Sequence, residues 1–323
     1  MKRKKIIFKI ILTIVIAFAI YTYACFVFMP KNSADRGSEA YFRSHAILAE
    51  KNKTLDVLLY GNSDINSAFS PMQMYDDIGV TSFVEWGNQQ SMKAILRQFK
   101  RDLKKQSPKL VVLEVDHLFY PNKFLTDTTR NDIFLLNALD YHVRWKELEL
   151  NDFISKPKYR EDKLKGWTYY TKNGNYKDGK DFMNKQNNTE ISNSVKKDVT
   201  SFKNICDKKG IKLLFLECPS PSSWNMNFHD QVKDLAKELE IDFIDLNIND
   251  SFFNTKTRVI ENFDWNNFFR DNGNHVNFNG AKFITRYVTQ YISENLDIPS
   301  KKEKQEYLSW NNNLQYYKNL INE

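Results

Sequence analysis

Short apolar runs alternate with amphipathic stretches along most of the chain. Five runs of five or six residues predict buried strands, because a strand covered on both faces is apolar at nearly every position. These runs lie at residues 55–60, 81–86, 110–115, 211–216 and 241–245. Between them, apolar side chains recur every three to four residues, which indicates helices with one buried face.

This alternation of strands and helices predicts the fold class. Parallel strands need crossover connections, usually helices, and right-handed crossovers cover both faces of the sheet. We therefore expect an α/β domain with a flavodoxin-like, doubly wound, three-layer arrangement around a five-stranded parallel sheet. The domain covers residues 54–298, with a polar insertion at 157–195 that is either a lid or a surface loop. Residues 117–147 are predicted to be helical, and residues 299–323 form a helical tail.

The N-terminus predicts a membrane anchor. Residues 10–29 contain no charge, and a helix of that length spans about 30 Å, the thickness of the bilayer core. Residues 1–9 are basic, which keeps such a tail in the cytoplasm under the positive-inside rule. The chain is therefore expected to be a single-pass protein of the cell membrane. Residues 30–53 would form a membrane-proximal helix or linker, and the C-terminal domain would be extracellular.

Two alternatives to an uncleaved anchor are open. One is a cleaved signal peptide, although the apolar stretch is longer than the usual ~7–15 residues and no Ala-x-Ala site follows it. The other is lipoprotein processing at Cys25, although Thr22-Tyr23-Ala24 is a poor match to the leucine-rich signal that such processing needs.

The distribution of charge argues against a nucleic-acid partner. The formal net charge is +7, but five of the 47 basic residues stand within the first nine positions. The rest of the chain carries 42 basic against 40 acidic residues. No glycine-rich phosphate loop is present, and the five histidines are not at metal-ligand spacing, so neither a cofactor nor a metal is predicted.

Candidate catalytic residues follow the predicted strands, where doubly wound sheets bind their ligands. Ser63 comes two residues after the glycine that ends the first strand. Gly87 and Asn88 follow the second strand, where a glycine lets a substrate approach the backbone and offers an N–H to an oxyanion. His275 precedes the last helix of the domain, in a loop where it can face Ser63 and act as its base.

In this order the blocks resemble those of the SGNH hydrolases, also called GDSL-like esterases and acyltransferases. The matching residues, within about 54–296, are Gly61-Asn62-Ser63-Asp64, Gly87, and His275-Val276-Asn277 with Gly280-Ala281. The resemblance implies that Ser63 is the nucleophile and His275 the base. It also implies that the N–H groups of Ser63 and Gly87 line the oxyanion hole.

Two blocks depart from the family pattern. The family's Gly-x-Asn-Asp should follow the third strand, but Glu114-Val115-Asp116-His117 stands there, so the usual asparagine donor is missing and Asn88 is a candidate substitute. The family also places an aspartate three residues before the histidine. Here that position is Asn272, and Asp271 lies four residues before. Either Asp271 completes a triad, or the site is a Ser–His dyad.

Four further residues are candidates for the substrate side. Asp64 and Asp116 flank the expected site in the sequence, with a structural role as the alternative for Asp116. Trp86 and Trp224 stand near predicted strand ends, where they would offer a stacking floor for a sugar, unless they simply pack in the core.

The resemblance also implies a class of function. Similar membrane-anchored members work with membrane-bound O-acyltransferases on polysaccharides or teichoic acids, including teichoic-acid D-alanylation and alginate-type acetylation proteins. An acyl-serine intermediate on Ser63 would pass its acyl group to a glycan of the cell envelope or to water. The departures in two blocks keep a second reading open, in which the chain is a non-catalytic scaffold or glycan-binding partner of such an acyltransferase.

Overall fold

The computed structural model describes residues 2–35, 37–122 and 133–322. Its centre is a sheet of β1 (Val57–Gly61), β2 (Ser82–Trp86), β3 (Leu110–Glu114), β4 (Lys212–Glu217) and β5 (Asp242–Asp245). All neighbouring strands are parallel, in the order β2-β1-β3-β4-β5. This is the flavodoxin-like strand order, so the predicted fold class is confirmed.

The strand order places β1 at the topological switch point. The chain moves from β1 to β2 on one side and then returns to the other side of β1 for β3. In doubly wound sheets the crevice at the carboxyl ends of such strands is where ligands bind. The loop that follows β1 therefore occupies the position where a site is expected.

Helices cover both faces of this sheet. The α-helices are α1 (Lys2–Phe28), α2 (Glu39–Ser44), α3 (Ile65–Ala68), α4 (Pro71–Ile78), α5 (Met92–Asp102), α6 (Asn137–Asp140), α7 (Asn193–Lys209), α8 (Met226–Glu238), α9 (Phe278–Asn295) and α10 (Leu308–Leu320). Short 3₁₀ turns cover Ala46–Ala49, Asp116–Phe119, Phe134–Leu136, His142–Lys146, Leu150–Phe153, Asp181–Asn184 and Gln305–Tyr307.

Two hydrophobic cores lie on the two faces of the sheet. Alternate side chains of a strand point in opposite directions, so β1 buries Leu58 and Tyr60 on one face and Val57 and Leu59 on the other. The first core lies under α5, α7 and α8, and the tail helix α10 joins it through Trp310. The second core lies under α9.

The insertion at 157–195 has little regular structure but is attached to the domain. The Nε1 of Trp167 donates a hydrogen bond to the carbonyl of Ser67 (3.0 Å). The N–H of Gly174 donates to the carbonyl of Phe269 (2.9 Å). These hydrogen bonds tie the middle of the insertion to the domain.

Two regions differ from the expected elements. Within 117–147 the described residues form short helical turns instead of long helices, and residues 123–132 lie outside the described residues. A small antiparallel hairpin of β6 (Ser251–Asn254) and β7 (Val259–Asn262) follows β5. The sequence pattern does not predict it, because most of its residues are at least partly exposed and form no apolar run.

Helix α1 is long and apolar enough to cross a membrane. It begins eight residues before the uncharged stretch and includes the basic residues at its start. Most of its large apolar side chains are exposed, which is the expected surface of a helix whose surroundings are lipid rather than protein.

Candidate active site

The loop after β1 presents Ser63 at the edge of the sheet. β1 ends at Gly61, and the side chain of Asn62 accepts a hydrogen bond from the N–H of Asp64 (2.8 Å). This Asx-type turn leaves Ser63 at its apex and partly exposed. The following helix α3 is only four residues long. It ends before Pro71, which begins α4 and disfavours helical backbone at the preceding residue.

The loop before α9 presents His275. Asn277 caps α9 by accepting hydrogen bonds from the N–H groups of Asn279 and Gly280. Its side-chain amide also donates to the carbonyl of Asn267 (2.7 Å). An asparagine that caps the helix and ties the loop to a preceding segment holds the 271–275 turn in place.

Ser63, His275 and Asp271 form a hydrogen-bonded row. The Oγ of Ser63 lies 3.1 Å from Nε2 of His275. The other ring nitrogen, Nδ1, lies 2.7 Å from Oδ2 of Asp271. Two residues that are 212 positions apart in the sequence therefore meet at the switch point of the sheet. The site is shallow, since the side chains of His275 and Asp271 are 15% and 38% exposed.

Asp271 is the ionised partner of the histidine. Burial raises the pKa of Asp271, but hydrogen bonds from the His275 ring and from the N–H groups of His275 and Asn274 outweigh it and lower the pKa to about 2. A charged carboxylate at Nδ1 keeps the proton on that nitrogen and leaves Nε2 free to accept one from Ser63. The four-residue spacing thus still brings an acid to His275, and Asn272 is exposed.

Asp64 approaches the same histidine from the other side. Its Oδ1 lies 3.4 Å from Nε2 of His275, and this atom has no hydrogen-bond partner among the residues that the structure describes. Burial, and next the nearby Asp116 carboxyl, raise the pKa of Asp64 well above its usual value. Their surroundings thus shift the pKa values of Asp64 and Asp271 in opposite directions.

Asp64 belongs to a group of four buried carboxyls beneath the site, here called the acid cluster. Its members stand at the ends of three neighbouring strands, and they are Asp64, Glu114, Asp116 and Glu217. Burial is the main cause that raises the pKa of each, to about 7 for Glu114. Carboxyls this close cannot all ionise in a dry environment.

The acid cluster also holds the Ser63 loop. Glu114 accepts hydrogen bonds from the N–H groups of Asn62 (3.3 Å) and Asp116 (3.0 Å). Asp116 accepts from the side chains of Asn62 and Tyr120. Glu114, Asp116 and His117 bring potential metal-ligand atoms within 4.8 Å of one another. Every carboxylate oxygen of Glu114 and Asp116 is already engaged by a protein donor, so the arrangement serves as a hydrogen-bonded support.

The acid cluster predicts that stability falls as the pH rises. The folded chain keeps protons on these carboxyls that the unfolded chain loses, so folding becomes less favourable between the ordinary glutamate pKa of 4.5 and the value of about 7 for Glu114. Above about pH 6.5 the buried His45 and His117, whose pKa values burial lowers to about 3 and about 4, no longer oppose this effect. We therefore expect the midpoint of thermal unfolding in detergent to drop from about pH 6.5 to about pH 8, and Glu217→Gln to reduce this drop. The exposed Glu238→Gln is the control and should leave it unchanged. A midpoint that rises with pH in the native chain would contradict the prediction.

Gly87 and Asn88 stand beside the Ser63 loop. The last pair in the β1–β2 register joins Gly61 to Trp86, so the residues that follow each strand leave the sheet side by side. Gly87 is buried and Asn88 is exposed in the turn after β2. Both therefore follow the strand that neighbours β1, at the same edge of the sheet as Ser63.

The remaining predicted substrate residues occupy different surroundings. Trp86 is partly exposed, but the guanidinium of Arg43 lies 4.6 Å from the ring centroid and covers one face. Trp224 is fully buried, and its Nε1 donates to Asp245 (2.8 Å). The structure thus places Trp224 in the core, as the packing alternative anticipates. Asp116 is also buried, beneath the site rather than at its surface.

The insertion at 157–195 supports the His275 loop from outside. Gly174 lies so close to the backbone of Asp271 that an added Cβ would come within 2.2 Å of its carbonyl oxygen and 2.5 Å of its Cα. On the other side of this loop, a Cβ on Gly273 would meet the ring of Tyr176 at 2.9 Å. The two segments are therefore in direct contact, and a change in one displaces the other.

This contact predicts that a substitution outside the row of Ser63, His275 and Asp271 lowers turnover. Gly174→Ala should lower turnover by about 10- to 100-fold, since displacements on the order of 1 Å at a reacting group have effects of this size. Lys177→Ala, an exposed change in the same segment, is the matched control and should retain native turnover. The measurement is steady-state hydrolysis of a chromogenic ester, with thermal unfolding as the check on folding. Native turnover in a folded Gly174→Ala variant would show that the contact does not position the loop.

Neither Glu217 nor the contact of Asp64 with His275 is among the features predicted from the sequence. Glu217 is fully buried, and neither of its carboxylate oxygens has a hydrogen-bond partner among the described parts of the chain. A signal for it was available. An acid ends the apolar run of β4 at Glu217, just as Glu114 ends β3, and charged residues at buried strand ends point toward the ligand-binding edge.

Comparisons with known proteins give similarity at the level of solved structures. No family model matches the chain, and no curated protein matches it. A GDSL-like lipase from Bacteroides thetaiotaomicron is 13% identical with a TM-score of 0.42, over 80% of this chain and 99% of that chain. The lipase/acylhydrolase from Enterococcus faecalis is 9% identical with a TM-score of 0.38, over 75% and 98%. An acetyl-xylooligosaccharide esterase from Geobacillus is 11% identical with a TM-score of 0.38, over 77% and 100%.

Proposed function

We propose that the chain is a serine esterase or O-acyltransferase of the SGNH type. The observation that carries the proposal is the row of Ser63 Oγ, the His275 ring and the Asp271 carboxylate, joined at 3.1 and 2.7 Å. It lies at the carboxyl ends of parallel strands, where this fold class binds its ligands. A hydroxyl, an imidazole and a carboxylate in this order are the parts that acyl transfer through serine requires.

The first half of the reaction would place an acyl group on Ser63. The Oγ attacks the carbonyl carbon of an ester while Nε2 of His275 takes the hydroxyl proton. The negative charge on the carbonyl oxygen is stabilised by N–H groups at Ser63 and Gly87, with the side chain of Asn88 as a further candidate donor. The tetrahedral intermediate then expels the alcohol, which receives the proton from His275, and an acyl-serine remains.

The second half would release the acyl group to an acceptor. His275 takes a proton from a hydroxyl of a glycan or from water, the oxygen attacks the acyl carbon, and Ser63 leaves with the proton returned. The shallow position of His275 and Asp271 admits water, which supports hydrolysis when nothing covers the site. Transfer would be favoured when an acceptor polymer lies over it.

The membrane-anchored architecture supports an acceptor or donor in the cell envelope. With the basic tail in the cytoplasm, α1 would leave the domain outside the cell. Arg43 in α2 touches Trp86, the residue before Gly87, so the linker after α1 reaches the same sheet edge as the site. A polysaccharide or teichoic acid is the proposed substrate, and a membrane-bound O-acyltransferase is the proposed partner.

The second candidate function is a scaffold or glycan-binding partner without chemistry. The replacement of the family's third block by the acid cluster favours it, because the carboxylate oxygens of Glu114 and Asp116 are engaged by donors within the protein and do not replace the missing asparagine donor. Loss of one oxyanion donor costs about 10²–10³ in rate, which lowers activity without abolishing it. The hydrogen-bonded row favours the enzyme.

Turnover by the purified full chain in detergent tests the proposal. We expect release of p-nitrophenol from p-nitrophenyl acetate, and deacetylation of an acetylated glycan or movement of its acetyl group to a second glycan. Product that carries the acetyl group identifies transfer, and free acetate identifies hydrolysis. No turnover of either substrate, together with rescue of a deletion strain by the Ser63→Ala variant, would support the scaffold instead.

A further inference from the structure

A segment beside the end of α1 exposes apolar side chains over a short length of chain. Residues 133–154, here called the apolar shelf, form consecutive short helical turns. Leu150 is 90% exposed and Ile154 is 78% exposed. The exposed large apolar side chains of the shelf are Phe134, Leu135, Leu139, Val143, Trp145, Leu150, Phe153 and Ile154. Clustered exposure of this kind marks an interaction surface, whereas single exposed apolar residues do not.

Three polar residues of the shelf are buried, and others are exposed between its apolar side chains, namely His142, Lys146, Glu147, Glu149 and Asn151. Arg144 is only 3% exposed, and Asn137 and Asp152 are also buried. Burying a charge is costly unless it is paired and hydrogen-bonded, and Arg144 is paired with Asp35 and Asp152. The outer face of the shelf therefore carries both apolar and polar side chains, a composition that suits the boundary between lipid and water.

Arg144 joins the shelf to the end of α1. Its guanidinium donates to the carbonyls of Phe28 and Met29, both at 2.9 Å. It also pairs with Asp35 (2.7 Å) and Asp152 (2.6 Å). One buried cation thus satisfies the carbonyls at the C-terminal end of α1 and links them to two carboxylates.

Side chains of α1 make a second set of contacts with the shelf. The hydroxyl of Tyr21 donates to the carbonyl of Leu135 (2.7 Å), and that of Tyr23 donates to the carbonyl of Phe153 (3.2 Å). These contacts, with those of Arg144, span residues 21–29 of the chain, or about 12 Å along a helix axis. The apolar outer faces of α1 and the shelf therefore adjoin over that length.

We propose that the apolar shelf lies in the membrane, at the boundary of headgroups and acyl chains in the leaflet that holds the C-terminal end of α1. Its occupant is the lipid surface, because the shelf continues the exposed apolar face of a helix that is itself long enough to cross a bilayer. The contacts with α1 place the shelf beside the last third of a membrane-spanning length of about 30 Å. Short interfacial helices lie at this depth in the bilayer.

The aromatic and basic residues of the shelf fit this depth. Trp145 is exposed, and the Nζ of Lys146 lies 5.5 Å from its ring centroid. Tryptophan is enriched at membrane interfaces, and lysine reaches from there to the headgroups. The shelf would then be a second membrane contact besides α1. Two contacts restrict the orientation of the domain and fix the distance of the site from the bilayer. This inference is independent of the chemistry at Ser63.

Depth-dependent fluorescence quenching tests the proposal. The three native cysteines are buried, so a single cysteine introduced as Ile154→Cys can carry an environment-sensitive fluorophore on the full chain in vesicles of phosphatidylcholine and phosphatidylglycerol. Leu150→Cys provides a second position. Ile260→Cys is the matched control, since Ile260 is 64% exposed on the β6–β7 hairpin and has no contact with the shelf among the described residues.

We expect the label at Ile154 and at Leu150 to emit at shorter wavelength and to be quenched by lipids with a nitroxide near the headgroup. The label at Ile260 should be unaffected. Unquenched labels at both shelf positions in these vesicles, which contain no other protein, would overturn the proposal and would favour a protein partner for the surface. Equal quenching at Ile260 would overturn it as well, because the quenching would then not be specific to the shelf.

Discussion

The Ser63→Ala variant should lose nearly all ester turnover, by about 10⁴- to 10⁶-fold in kcat, since the hydroxyl that accepts the acyl group is gone. The remaining rate would come from binding and from the N–H groups that stabilise the oxyanion. The change removes one oxygen from a partly exposed residue, so the fold should be unaffected. Steady-state kinetics with p-nitrophenyl acetate measure the loss of turnover. Equal midpoints of thermal unfolding for the native chain and the variant would show that folding is unchanged.

The matched control for this variant is Ser201→Ala. Ser201 lies on the exposed side of α7, and its hydroxyl bonds only to the carbonyl of Lys197 one turn earlier. Native turnover is expected from it. If Ser63→Ala retained native turnover, any hydrolysis by the chain would occur elsewhere, and the proposed function would be wrong.

The Asp271→Asn variant should lower kcat by about 10⁴-fold, as loss of the carboxylate does in a serine–histidine–aspartate triad. An asparagine keeps the oxygen that accepts the N–H groups of Asn274 and His275 at 2.8 and 3.0 Å, so the loop should keep its shape. Its amide would donate to Nδ1 of His275 and move the ring proton to Nε2. The histidine could then no longer accept the proton of Ser63.

The neighbouring change Asn272→Ala is the control for Asp271→Asn. Asn272 occupies the position where the resembling family carries its acid, but here it is exposed, and little loss of kcat is expected. A small effect of Asp271→Asn with unchanged folding would contradict a triad. The site would then be a dyad of Ser63 and His275, which was the alternative left open by the sequence.

The fold class was predictable because four of the five strands are buried at nearly every position. The runs at 55–60, 110–115 and 211–216 are apolar at all but one position, and a glycine or an acid stands at or next to the end of all five runs, so their number could be recognised. The position of β1 at the switch point then follows from the order of strands in this fold. The loops that carry Ser63 and His275 could be identified for the same reason, since each adjoins a strand or a helix with a clear pattern.

Other parts of the site depend on packing that the sequence pattern does not report. Whether Asp271 reaches His275 is decided by a turn in which its carboxylate accepts two backbone N–H groups. The burial of Trp224 and Glu217 depends on contacts between strands and helices far apart in the chain. The spacing of apolar residues within 133–154 does not show which of them are exposed. Their exposure depends on how this segment packs against the end of α1.

Chemical trapping of the acyl group on the chain tests the central claim most directly. The full-length protein is mixed with p-nitrophenyl acetate, quenched with acid during turnover, digested, and its peptides are sequenced by mass spectrometry. We predict an acetyl ester on Ser63 whose amount rises during the first turnover. The ester should be absent from the Ser63→Ala variant. An acetyl ester on another residue during turnover, or turnover that leaves Ser63 unmodified at every quench time, would contradict it.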